Sequence, residues 1–180
     1  MQNEDVRLLV IECFFWVWVS YGFGVLLHEL GHALGGQLLG GELYLLRIGR
    51  LLWLRSGGWM LWEKSTTTPG ECLVLCRSCK GVLITAASGS VMNLAIGVLV
   101  LMRSVLLSNN TIRVSALCFG LVSVLLAGMN WNIGRRDEIG DGGIYRQVKQ
   151  KPELAKKYIK EQQNGVFLLE FGLLEELLAE

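Results

Sequence analysis

Proline and histidine are scarce in this chain, with two of each among 180 residues. Pro69 and Pro152 leave the long apolar stretches free of the residue that breaks helices. Charge is also scarce: 18% of residues are charged and the net charge is +1, so no basic field exists to hold DNA or RNA, and no nucleic-acid partner is expected. Five cysteines (Cys13, Cys72, Cys76, Cys79 and Cys118) are an odd number scattered between apolar runs and a loop, which excludes a secreted disulfide framework. Cys76 and Cys79 form a single CxxC with Cys72 nearby, a weak signal for structural zinc or redox work, and free cytoplasmic thiols are expected. What the chain has instead is apolarity, with 52% hydrophobic residues and 22 glycines. That composition points to a membrane protein rather than a water-soluble globule.

Three stretches reach the ~20 apolar residues a helix needs to cross a bilayer. Leu8 to Leu27 carries one charge, Glu12, while Gly81 to Met102 and Val114 to Trp131 carry none. Helices are expected over about 8–39, 81–107 and 114–133, forming an all-α polytopic core. The first residues, MQNEDVR, hold two acids and one base, so the first run is expected to be a retained helix rather than a signal peptide. Of the lysines and arginines, Arg7, Arg103 and Arg113 fall on one side of these helices and the other fourteen on the opposite side. Basic loops stay in the cytoplasm, so the N-terminus is expected outside, with the 41–80 loop and the C-terminus inside.

Within that loop, LLRIGRLLWLRSGGWMLWEK places two apolar, aromatic arms around Ser56, Gly57 and Gly58. This predicts a membrane-associated β-hairpin over about 43–62; a short interfacial helix anchored by Trp53, Trp59 and Trp62 is the competing reading. The organisation expected is a core over residues 1–146 and a cytoplasmic tail over 147–180. In that tail, 151–165 reads as a solvated helix or linker and 166–180 as a C-terminal amphipathic helix. Glu170, Glu175, Glu176 and Glu180 would be repelled by anionic lipid, so this helix is expected to dock on the protein body, on a partner or on a second copy.

Both histidines lie in one stretch, VLLHELGHALGG (residues 25–36). On a helix, His28 and His32 stand one turn apart on one face, and their imidazoles converge on a single point. Glu29 sits beside that point without needing to bind there. This is the HExxH arrangement, in which two histidines hold zinc and the glutamate takes a proton from the attacking water. In a shuffled chain with two histidines the arrangement arises on the order of one time in a thousand. A hydrogen-bonded packing cluster is the plain alternative, but unpaired ionisable groups are costly at membrane depth.

A catalytic zinc takes three protein ligands and leaves a fourth position open. No histidine remains, so the third ligand must be a carboxylate or thiolate, with Asp137, Glu138, Asp141, Cys76 and Cys79 as candidates. Charge balance favours a carboxylate: one Zn²⁺, one aspartate, Glu29 and two neutral histidines sum to zero, which matters where the dielectric is low.

HELGH in a first core helix, GSVMN (Gly89 to Asn93) in a second, and asparagine followed by Asp-Gly in NWNIGRRDEIGDGG after a third resemble the site-2 proteases, the M50 family of intramembrane zinc metalloproteases. The resemblance covers roughly residues 8–146. It implies His28, His32 and Asp141 as ligands of one zinc ion, Glu29 as general base, and Asn93 lining the site to hold the substrate carbonyl or oxyanion. It also implies that the hairpin guides an extended substrate strand, a form of strand addition. The PDZ and nucleotide-sensing modules of some relatives are not expected here, so selectivity is expected from the core, the tail or a partner.

The activity expected is therefore that of an intramembrane zinc endopeptidase in a cell membrane, plausibly bacterial given the small core. It would cut a membrane-embedded protein or membrane-bound peptide near the cytoplasmic face. Two rivals stand beside it: a non-proteolytic metal-containing membrane scaffold or peptide-export accessory, and a soluble zinc peptidase with a single N-terminal anchor.

Overall fold

A computed structural model of the protein describes residues 3–62, 68–132 and 140–170. Three long helices dominate it: α1 (Asn3–Leu38), α2 (Cys79–Ser104) and α3 (Asn110–Asn132). Each is long and apolar enough to cross a membrane. α1 spans ~54 Å at 1.5 Å per residue, well beyond a ~30 Å hydrocarbon core. Ser78 caps α2, its Oγ accepting the Gly81 N–H at 3.1 Å, and Asn109 opens α3 by accepting the Ile112 N–H at 3.1 Å.

The helices pack with polarity reversed relative to a soluble bundle. Phe14 and Trp18 on α1 are 73% and 76% exposed, whereas Asn93 on α2 and Ser123 on α3 are fully buried. Small groups meet where the backbones come closest, at Gly31 and Gly35 of α1 beside Ser88 of α2. Outward apolar faces of this extent are compatible with a membrane as surroundings.

Between α1 and α2 lies an antiparallel sheet of β1 (Glu42–Ile48), β2 (Leu51–Leu54), β3 (Gly58–Leu61) and β4 (Gly70–Leu75), in the order β3-β2-β1-β4. The expectation of one hairpin over 43–62 needs revising. The Ser56–Gly58 turn does separate two strands, β2 and β3, paired as Trp53↔Trp59. The first arm, however, folds again at Gly49, whose φ of 56° reverses the chain between β1 and β2. β4 was not foreseen, and it pairs with the other edge of β1, Leu46 facing Cys72. The chain is thus mostly helical with a small sheet, rather than all-α with a lone hairpin.

The segment after α3 also differs from expectation. α4 (Asp141–Gln150) is a helix that begins at Asp141 and crosses the boundary placed at residue 146. α5 (Leu154–Glu170) makes 151–165 largely helix, the first of the two readings offered for it, and runs on through Gly165 as one helix. Val148 of α4 and Ala155 and Tyr158 of α5 share a buried cluster with Val74 and Cys76 of the β4 region and Val82 of α2. The Gln162 Oε1 accepts the Cys76 N–H at 2.9 Å, and the Tyr158 hydroxyl donates to Gln147 Oε1 at 2.9 Å. The tail is therefore packed on the core through α5 as far as Val166; Glu175, Glu176 and Glu180 lie outside the described residues.

Candidate metal centre

The helical period of α1 places His28 and His32 on the face turned toward α2 and α3, both 8% exposed. Their Nε2 atoms are 3.0 Å apart. Asp141, at the start of α4, brings Oδ2 to 2.8 Å from the His28 Nε2 and 3.1 Å from the His32 Nε2. Arg146 on the same helix donates to the Trp131 carbonyl at 3.1 Å, which ties α4 to the end of α3 and aims Asp141 at the histidines.

The chemistry of this donor set fits a metal ion. The His32 Nδ1–H donates to the Thr85 carbonyl at 2.6 Å, which turns its Nε2 toward His28 and Asp141. Asn130 Nδ2 lies 3.3 Å from both ring nitrogens of His28. Burial alone would raise the Asp141 carboxyl, but its hydrogen bonds with His28 and His32 outweigh this and hold it well below the usual carboxylate range. This carboxylate and the two imidazoles, ~3 Å apart in a buried pocket, could hold a metal cation among them. The edges of the triangle are close to the roughly 3.3 Å separation of ligands arranged tetrahedrally at ~2.0 Å. Among the described residues, His28, His32 and Asp141 form the group able to hold a metal ion.

The other third-ligand candidates do not join this group. The Cys76 thiol is buried elsewhere, 3.3 Å from Thr85 Oγ1, and Cys79 opens α2. Asp137 and Glu138 lie outside the described residues. All five cysteines are free thiols.

His28, Glu29, His32, Asn93, Asn130 and Asp141 line a common cavity of about 550 Å³. Asn93 is fully buried there, and neither its Nδ2 nor its Oδ1 has a hydrogen-bond partner. Such a group is costly to leave unsatisfied, so water or a ligand in the cavity would pair with it. Glu29 is 8% exposed and packs against Gly70 of β4, where a Cβ would come within 2.6 Å of Glu29 Oε1.

Arg47 is the buried feature that escaped the reading of the sequence, which counted it only as a loop cation. It is fully buried on β1 and donates to Glu71 Oε2 at 3.2 Å and to Thr68 Oγ1 at 2.6 Å. The Thr68–Gly70 segment that it grips lines the cavity beside Glu29. An arginine within an otherwise apolar arm was the available signal.

Gly89 lets α2 approach both imidazoles. A Cβ there would lie 2.6 Å from the His32 Nε2 and 2.8 Å from the His28 Cε1. Gly89→Ala is therefore expected to displace the rings and weaken metal binding by roughly 10- to 100-fold while the protein stays folded. Competition with a chelator of known affinity measures the effect, and unchanged affinity would show that the rings are not held against α2.

Comparisons with protein-family models, with curated proteins and with solved structures find no match to the chain.

Proposed function

We propose that the protein is a membrane-embedded zinc endopeptidase that hydrolyses a peptide bond in a membrane-bound substrate near the cytoplasmic face. The observation that carries this reading is the convergence of His28, His32 and Asp141, their ligand atoms within 4.8 Å of one another, in a cavity shared with Glu29. Two imidazoles and one carboxylate are a zinc ligand set that leaves a position open for chemistry.

A bound zinc ion would supply Lewis acidity, polarising the scissile carbonyl and bringing the pKa of a water molecule toward ~7. Glu29 takes the proton of the attacking water as its oxygen adds to the carbonyl carbon. It then delivers that proton to the departing amine nitrogen as the C–N bond breaks. Asn93 offers its unpartnered amide N–H to the oxygen on which negative charge develops. Asn130 and the Thr85 carbonyl keep the two imidazoles oriented.

The outward apolar faces of α1, α2 and α3 support a bilayer as the surroundings, and the excess of basic residues on one side of the helices supports an N-terminus outside. β4 is the terminal strand of the sheet, and its Gly70 and Cys72 line the cavity. Among the described residues no strand pairs with its outer edge, which suits an extended peptide that adds as a further strand and presents its carbonyl to the site. A substrate helix must unwind to bind in this way.

The test is to incubate the purified full chain, in lipid nanodiscs with zinc, with a mixture of synthetic single-span membrane peptides in ¹⁸O-labelled water. Mass spectrometry is expected to find new C-termini carrying one ¹⁸O. Chelation is expected to abolish cleavage, and added zinc to restore it. Cleavage that survives complete metal removal would overturn the proposal.

A further inference from the structure

A second cavity, of about 310 Å³, meets the first at the metal group. His32, Cys72 and Asp141 line both cavities, so two of the three candidate ligands and one thiol form the partition between them. The walls leading away from that partition differ in kind. Beyond Glu29, Thr68, Asn93 and Asn130, the first cavity runs past Tyr21 and Val25 of α1 and Leu126 and Met129 of α3, between two helices that lie in hydrocarbon on the reading above. The second runs between β4, α2 and α4, and its outer wall is the polar face of α5, made by Tyr158, Glu161 and Gln162.

Glu161 stands at the water-facing end of this passage. Its side chain is 53% exposed and pairs only loosely with Lys157, at 3.7 Å. Gln162 and Tyr158 pin the wall in place through Cys76 and Gln147.

We propose that this second cavity is the loading port through which a divalent metal ion reaches His28, His32 and Asp141, with Glu161 at its mouth and α5 as its outer wall. The inference rests on the metal-centre reading above. A hydrated dication cannot shed its water in an apolar passage without a prohibitive desolvation cost. It needs a route that opens to water and carries polar donors, and the second cavity, with Tyr158, Glu161 and Gln162 on its α5 side, is one. An exposed carboxylate at the mouth raises the local cation concentration and speeds entry. The port also separates metal delivery from the cavity that takes the peptide.

The test is stopped-flow binding of Co²⁺ to the metal-free full chain in nanodiscs, read by the visible absorption of the bound ion. Glu161→Lys is expected to slow uptake roughly 10-fold at low salt, with the difference shrinking as salt screens the mouth. Glu161→Trp, which narrows the mouth, is expected to slow uptake and release by the same factor and leave the dissociation constant unchanged, because a port limits both directions. Glu153→Lys, just outside α5, and Met129→Trp, in the first cavity, are expected to load at the wild-type rate. Wild-type loading of both Glu161 variants, or slowing by Met129→Trp instead, would overturn the port. So would a changed dissociation constant for Glu161→Trp. A wild-type protein that binds no Co²⁺ would remove the metal centre itself, a different failure from an intact centre loaded by another route.

Discussion

Glu29→Gln is expected to keep one metal ion per chain and to lose peptide hydrolysis by roughly 10³-fold, the range general-base removal commonly costs. The Glu29 carboxylate is not one of the three converging donors, so the metal does not depend on it. Glutamine has nearly the same shape and fits the space that Gly70 leaves, so the packing of β4 against α1 survives. What disappears is the proton acceptor. Single-turnover cleavage of a membrane peptide, paired with metal analysis of the same sample, measures both halves of the prediction. Undiminished cleavage would remove the proposed mechanism and leave a metal-containing scaffold.

Asp141→Asn is expected to weaken zinc binding by at least roughly 100-fold, more than the cost usually seen for groups that only orient a ligand. The amide keeps the volume of the carboxylate and its place at the start of α4, so folding is expected to persist. It removes the negative charge that, with Glu29, balances a dication among neutral imidazoles. Metal content after dialysis against a weak chelator gives the readout. Full retention of zinc would move the third ligand to Asp137.

The legibility of this site in the sequence follows from distance along the chain. His28, Glu29 and His32 are ordered by the helical period alone, and a long apolar run around them guarantees the helix. Asp141 lies 109 residues from His32, and no periodicity links them. Its aspartate–glycine setting marked it only through the family resemblance. The glycines and polar residues of DGGIYRQVKQ hid α4, whose start depends on contact with α3 rather than on intrinsic propensity. β4 was missed because GECLVL is short and lies beside the CxxC, where thiol chemistry drew the reading away from strand pairing. Asn93 was found by resemblance, but its unpartnered amide in the cavity is a property of packing that no spacing reveals.

The central claim is that His28, His32 and Asp141 together hold one zinc ion. X-ray absorption at the zinc edge of the purified full chain tests it most directly. The account predicts one zinc per chain with nitrogen and oxygen neighbours at ~2.0–2.1 Å, outer-shell scattering from two imidazoles, and no sulfur. A sulfur neighbour at ~2.3 Å, a single imidazole, or no zinc at all would contradict it.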